Sequence, residues 1–483
     1  MIKVYILLFV IAAAQASYKA SMRDIMYLRS TCKARDSALA NDFYRSIDVN
    51  KISLFSQILN FKIINVVMGE EPRTTKLIKH MVIDEEDNDE KEEDLKIIAN
   101  NISLHYNLSH STEGTVYHAY PKVNQDNMCF SAEKHVDLIL ESFSTDLMEY
   151  MGAEGSNRLY DSLPWKLYAS VHLALRVSRL HKAGYLYTFL NPSTIYMRSE
   201  FDMVLGDFSF AVPVSPSITG LINNYETLAL SAFHPTYSPN ELYQDIYSWN
   251  SDTYSLGIIL HEIWTGKTHK GSEMPEDYRL SVSSICEDEP VNNLNRLSND
   301  LIVRWVYCKY FQNIVSSMVE ETFEMRAGID TVIRKFKENA DEAMKEYIKL
   351  KSDYEDELET SRNMLDGLKK IDPNSPEAEL YVGIDDTIAL LDEEIAFIND
   401  DIGKTKPLET VLIAFYKSMI EPRIDEPHFI LRQLEDNEYI FSLLDDKGEA
   451  ILSHPIGDYI KILKNKIGQT GEGMVFNDGR ILI

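Results

Sequence analysis

Residues 180–197 read LHKAGYLYTFLNPSTIYM, and three stretches follow in order: VLGDFSF at 204–210, TYSPNELY at 236–243 and SDTYSLGIILHEIWTGK at 251–267. The first is the end of a long helix that runs into a loop. The second is a strand that ends on a single acid, Asp207. The fourth has the character of a helix buried in a core. Eighteen residues separate Phe189 from Asp207, which leaves room for a loop and a small hairpin between them.

In order and spacing these stretches resemble the protein kinase superfamily, in which a loop H-R-D-L-K-P-x-N follows a long helix, then D-F-G, P-E and D-x-W-S-x-G. On that resemblance Tyr187 stands at the His, Thr188 at the Arg, Phe189 at the Asp, Asn191 at the Lys and Thr194 at the metal-binding Asn. Asp207, Phe208 and Ser209 stand at D-F-G. Asn240 and Glu241 stand at P-E, with the proline one place earlier at Pro239. Asp252, Tyr254, Ser255 and Gly257 keep most of the last motif, and Arg326 in SMVEETFEMRAG resembles the late arginine that pairs with Glu241. The resemblance makes Glu241, Asp252 and Arg326 structural residues.

Phosphate transfer needs a carboxylate to position and deprotonate the acceptor hydroxyl, and an amide oxygen plus the D-F-G acid to hold magnesium on the phosphates. Phe189 accepts no proton, and general-base catalysis is worth on the order of 100- to 10,000-fold. Thr194 in place of the Asn removes a second metal ligand. Positions that hold such a fold together are kept while those that do its chemistry are changed, so the chain resembles a degenerate, pseudokinase member with no catalytic residue.

Upstream, KISLFSQILNFKIINVVMG and TTKLIKHMVI alternate as antiparallel strands do, broken by a turn at Gly69, Glu70, Glu71 and Pro72, and resemble the first strands of a kinase small lobe. SQILNF carries no glycine, so no backbone loop can close over phosphates there. Lys79 aligns with the third-strand lysine and Glu93 with its helix partner, Glu92 being the register alternative. HVDLILESF reads as the fifth strand leading to a hinge near Glu141. Lys79, Glu93 and Asp207 are then vestiges of a nucleotide site. No cofactor is expected, and ATP with magnesium is the only one the resemblance offers.

The 483 residues carry a net charge of −28 with 45% apolar content. That length holds a kinase-sized body and something more. Such acidity repels nucleic-acid phosphates and anionic lipid at long range, which excludes nucleic acid as a partner. Residues 4–14 are apolar after Lys3, and Ala14, Gln15, Ala16 form a small-x-small site, the pattern of a secretory signal cleaved after Ala16. The run is too short for a roughly 30 Å hydrocarbon core, so no stable membrane insertion is expected after cleavage. In the secretory route, extracellular or in a secretory organelle, Asn101 (NIS) and Asn107 (NLS) become glycosylation acceptors. Four cysteines permit three pairings, and sequence does not choose among them. Cys286 and Cys308 are the candidate bridge because both fall in the stretch that resembles the large lobe. Neither these cysteines nor His105 and His110 have metal-ligand spacing. The acidic run at 84–94 lacks the spaced glycine of a calcium loop and reads as solvated.

From Asn339 the composition shifts to charged residues with an apolar stripe at Tyr347, Tyr354, Leu358, Leu365 and Leu368. Residues 372–376, DPNSP, break it. A second stripe runs Leu380, Ile384, Ile388, Leu391, Ile395, Ile398 and Ile402, close to the roughly 3.5-residue repeat of a coiled-coil seam. After Pro407 a helix is expected to Met419, then hairpins EYIFSLL/EAILS and MVF/ILI around a helix HPIGDYIKILKNKIG.

The expected architecture is α+β: a bilobal kinase-like fold with a C-terminal helical hairpin and a small α+β tail. Its boundaries are signal 1–16, N-terminal segment 17–48, kinase-like domain 49–338 (small lobe 49–142, large lobe 143–338), hairpin 339–406 and tail module 407–483. The functional expectation is an inactive scaffold that binds other proteins or acts allosterically through the large lobe and C-terminal helices. Its rival is an atypical ATP-dependent transferase using Lys79 and Asp207.

Overall fold

The computed structural model describes the strand segments between 53 and 140, most of 143–266, Cys286, residues 299–370, Ala389, and strand segments between 428 and 482. The signal segment, Glu93, Asn101, Asn107 and the stripe from Leu380 to Ile402 lie outside the described residues, apart from Ala389.

Five antiparallel strands open the fold: β1 (Ser53–Ile58), β2 (Phe61–Val67), β3 (Thr75–Val82), β4 (Met128–Ser131) and β5 (His135–Leu140), in the order β1-β2-β3-β5-β4. β3 therefore lies at the centre, and Lys79 on it pairs in register with Ile63 of β2 and Leu138 of β5. The short strand β6 (Thr145–Asp146) leads into the one-turn helix α1 (Leu147–Gly152).

Helix α2 (Leu163–Lys182) is the axis of the body that follows. Ser162 caps it by accepting the Trp165 N–H at 3.4 Å, and Pro164 sits in the first turn, where its missing N–H costs nothing. It is buried along most of its length, with Trp165, Leu167, Leu173, Val177 and Leu180 in the main core. Each such side chain contributes roughly 1.5–3 kcal/mol by leaving water. Helix α2 ends in a chain of small pieces: β7 (Tyr185–Leu186), a 3-10 turn Pro192–Thr194, β8 (Ile195–Ser199), β9 (Asp202–Leu205) and β10 (Val212–Pro213). β6 and β9 flank β8, and β10 returns to pair with β7. β11 (Ile222–Asn223) pairs with β12 (Ile246–Tyr247).

Helix α3 (Trp249–Thr265) is buried almost throughout; Ser248 caps it and Gly266, at φ 66°, ends it in the left-handed conformation. A Cβ at Gly257 would stand 2.8 Å from both Met318 Cβ and Val319 Cγ1, so only glycine lets the next helices approach this close. Those are α4 (Asn299–Tyr310) and α5 (Gln312–Met318). Lys166 of α2 donates to the Ile263 carbonyl at 2.6 Å and ties α2 to α3.

Helix α6 (Ile329–Leu368) is one unbroken helix of 40 residues. The boundary expected at residue 338 falls inside it. Val332, Phe336, Ala340, Ala343, Met344 and Tyr347 are all buried in the same core, so the body reaches past Lys337. The charged composition that begins at Asn339 belongs to the exposed positions of α6.

Near the C-terminus β13 (His428–Gln433), β14 (Tyr439–Leu444), β15 (Ala450–Pro455), β16 (Met474–Val475) and β17 (Arg480–Leu482) form an antiparallel sheet in the order β15-β14-β13-β17-β16. The two expected hairpins are present as paired strands. β13, unforeseen from sequence, joins them. His454 and Pro455, expected to begin a helix, extend β15 opposite Phe441 and Ile440. The fold is a mixture of helix and antiparallel sheet, α+β in class. Among the described residues no helix is long and apolar enough to cross a membrane.

Candidate functional site

The site is built where α2 gives way to the loop at 185–194. Asp252, in the first turn of α3, reaches under this loop. Its Oδ2 accepts the Tyr187 N–H at 2.7 Å, its Oδ1 accepts the Thr188 N–H at 2.8 Å, and His181 Nε2 lies 2.9 Å from Oδ2. Thr188 is the one described non-glycine residue at positive φ, 62°. For a β-branched residue that backbone is strained, by roughly 1–3 kcal/mol, and bonds at both ends hold it: the Asp252 carboxylate below, and its own hydroxyl, which donates to the Phe210 carbonyl at 2.6 Å.

The left-handed residue turns the chain so that Phe189 follows. Its ring is half-buried, 5.2 Å from Phe210 and 6.2 Å from His234 between centroids. His234 packs on Tyr237 at 4.7 Å, and its enclosure lowers its pKa to about 4, because a buried imidazolium loses hydration.

Asn191 and Thr194 close the 3-10 turn as a reciprocal cap. The Asn191 side chain accepts the Ser193 N–H at 3.0 Å and donates to the Phe189 carbonyl at 2.9 Å. The Thr194 hydroxyl accepts the Asn191 N–H at 3.2 Å and donates to the Asn191 carbonyl at 2.8 Å, fully buried. Thr194 therefore spends its one donor and one of its two acceptor sites on its own turn.

Asp207 follows β9 and is 4% exposed. Its Oδ1 accepts the Ser209 N–H at 2.9 Å, and its own N–H donates to the Tyr187 hydroxyl at 3.1 Å. Burial first, and then the Asp207 charge, hold the Tyr187 phenol well above its usual pKa; Tyr196 is raised by the same causes. Both phenols thus stay protonated, and Tyr187 donates to the Thr194 carbonyl at 3.4 Å. A Cβ at Gly206 would lie 2.1 Å from the Tyr196 ring, so the glycine before Asp207 lets that ring lie over the backbone.

Farther out, Arg326 and Glu241 are joined across 85 residues by a forked pair, one arm at 3.0 Å. Arg326 also donates to the Glu320 carbonyl at 2.6 Å and lies over the Tyr254 ring at 4.8 Å. Cys286 and Cys308 are linked by a disulfide. Lys79 stands on β3, and the partner expected for it, Glu93, lies outside the described residues. Among the described residues no group of three or more His, Cys, Asp or Glu side chains could hold a metal ion.

Sequence reasoning missed His181, His234 and the backbone role of Thr188. His181 lies in the last turn of α2, one turn ahead of the loop, so its spacing pointed there. No local signal marks Thr188, since threonine disfavours positive φ.

No protein-family model matches the chain. Over 160 residues, 32% of the chain, it is 31% identical to the serine/threonine-protein kinase US3 homolog of varicella-zoster virus (strain Dumas), and the match covers 38% of that protein. Over 105 residues, 21% of the chain, it is 30% identical to the leucine-rich repeat receptor-like protein kinase PEPR2 of Arabidopsis thaliana, covering 9% of it. The chain spans well under half the length of these curated relatives. Distant, partial homology to protein kinases makes it a kinase-like protein.

Proposed function

We propose that the chain is a bilobal kinase-like protein that has lost phosphate transfer and serves as a protein-binding or allosteric scaffold in the secretory route. The central sheet bearing Lys79 stands for the small lobe, and the body built on α2 and α3 for the large one. One observation carries the reading: where the kinase pattern asks for a proton-accepting carboxylate, Phe189 presents a ring packed on Phe210 and His234.

The surroundings support it. A pair of magnesium ions would lack its second ligand, because the Thr194 hydroxyl, at the position of the metal-binding amide, donates within its own turn, and Asp207 is buried with Oδ1 accepting the Ser209 N–H. Charge stabilisation at a transferring phosphoryl group needs those oxygens directed at metal. The apolar run at 4–14 and the bridge between Cys286 and Cys308 favour an oxidising compartment. The buried body and the long helix α6 would offer contact surfaces to other proteins.

The rival is a transferase that takes ATP in an unusual pose on Lys79 and Asp207; the names of the two relatives favour it. Thermal-shift titration with ATP and Mg²⁺ or Mn²⁺ separates the two readings. A ligand at 100 times its Kd adds roughly 2.7 kcal/mol of stability. The scaffold reading expects a flat titration, and a saturating rise in Tm that Asp207→Ala removes would favour the transferase.

A further inference from the structure

The fork between Arg326 and Glu241 also fixes the loop at 319–328, between α5 and α6. From within that loop the Arg326 guanidinium donates to the carbonyls of Glu320 at 2.6 Å and Glu321 at 3.0 Å. Asn250, in the first turn of α3, donates its amide to the Phe323 carbonyl at 2.9 Å, and the Ala327 N–H donates to the Ser317 carbonyl at 2.9 Å. The backbone of the loop is thus held from the protein side. Its side chains at 320, 321, 322, 324 and 325 are all exposed.

Four large apolar side chains are exposed among the described residues, and two of them flank this one ion pair. Met325, 73% exposed, precedes Arg326; Tyr243, 45% exposed, lies two residues past Glu241. Both segments that the fork joins therefore show an apolar side chain to solvent. A loop fixed in place loses little further freedom when a partner covers it, and methionine adapts its shape to what it meets. Glu320, Glu321 and Glu324 surround Met325 in sequence, and the one cation of the loop, Arg326, is turned inward to Glu241.

We propose that the loop at 320–325, with Tyr243, is a docking surface for a partner segment in which Lys or Arg flanks an apolar residue. The apolar residue would cover Met325 while the cations face the three carboxylates. The net charge of −28 steers such a basic partner toward the chain and repels an acidic one. This inference rests on the protein-binding half of the proposed function and not on the loss of phosphate transfer, which the ATP titration tests separately.

Selection of a phage-displayed library of random short peptides on the immobilised full chain tests it. Enriched peptides are synthesised, and their Kd is measured by fluorescence anisotropy on the wild type, Met325→Ser, the pair Glu320→Gln with Glu324→Gln, and a control pair Asp353→Asn with Glu359→Gln. All five positions are exposed, and equal Tm values verify that the variants fold. The expected peptides combine Lys or Arg with an apolar residue. Met325→Ser should weaken them about tenfold, as loss of an anchor does, and the loop pair should weaken them several-fold, while the control pair leaves Kd unchanged. Peptides insensitive to Met325→Ser would overturn the proposal. A control pair as damaging as the loop pair would overturn it too, since general acidity alone would then explain the binding. Enrichment of acidic or uncharged sequences, or no enrichment, would likewise overturn it, and a flat ATP titration beside such a result would leave the loss of phosphate transfer standing.

Discussion

The carboxylate of Asp252 accepts the N–H of Thr188 at 2.8 Å, and Thr188 holds a left-handed backbone at φ 62°. A residue from the start of a buried helix thus imposes, 64 positions away in sequence, a conformation that Thr188 would not choose. That constraint sets the path of the loop and with it the position of Phe189.

Removing the constraint should be costly. Asp252→Ala leaves the Tyr187 and Thr188 N–H groups without their acceptor in a buried place, at about 1–3 kcal/mol for each unmet group. The expected loss in urea unfolding is roughly 2–5 kcal/mol, near the upper range of single substitutions. A loss below about 0.5 kcal/mol would show that the loop does not rely on Asp252.

The forked pair of Arg326 and Glu241 makes a second prediction. Breaking a buried ion pair from one side costs about 3–5 kcal/mol because the remaining charge is stranded. Arg326→Ala and Glu241→Ala should each destabilise by that amount, and the double variant by clearly less than their sum. Arg326→Lys should fail to rescue, since lysine cannot reproduce the fork or the Tyr254 contact. Additive losses in a double-mutant cycle would refute the coupling.

Two buried groups give pH dependences of opposite sign. Burial raises Asp146 to about 7, against the N–H of Glu149 at 2.8 Å, which acts to lower it. The fold binds this proton more tightly than the unfolded chain does. The stability it contributes is complete at low pH and is lost as pH rises from about 4 through 7, on the order of 4 kcal/mol in all. Asp146→Asn should remove that decline and leave the protein more stable than wild type at pH 8. His234 runs the other way. Its folded pKa of about 4 is depressed, so its contribution is present above about 6.5 and is lost as pH falls through 4. His234→Gln should flatten the acid limb of a Tm-versus-pH curve. An unchanged slope in either variant would contradict the assignment for that residue.

The sequence made the order of the central stretches readable, because buried helices and the loops between them demand particular residue types at particular spacing. Residues 251–264 could be read as buried from their own composition. The pairing of Glu241 with Arg326 was reached through a resemblance, since nothing local to either residue points to the other. Three features could not be read for physical reasons. Thr188 takes its φ from a distant carboxylate. β13 is defined by partners on both sides, β14 and β17, more than by any alternation in HFILRQ. The continuity of α6 was hidden because its exposed face changes composition at Asn339 while its buried face does not.

The central claim concerns chemistry at Phe189. The most direct test is a phosphate-transfer assay on the purified protein with radiolabelled ATP, Mg²⁺ or Mn²⁺ and generic protein acceptors, run beside Asp207→Ala. The account predicts no transfer above background in either sample. Sustained, ATP-dependent labelling by the wild type that Asp207→Ala abolishes would contradict it.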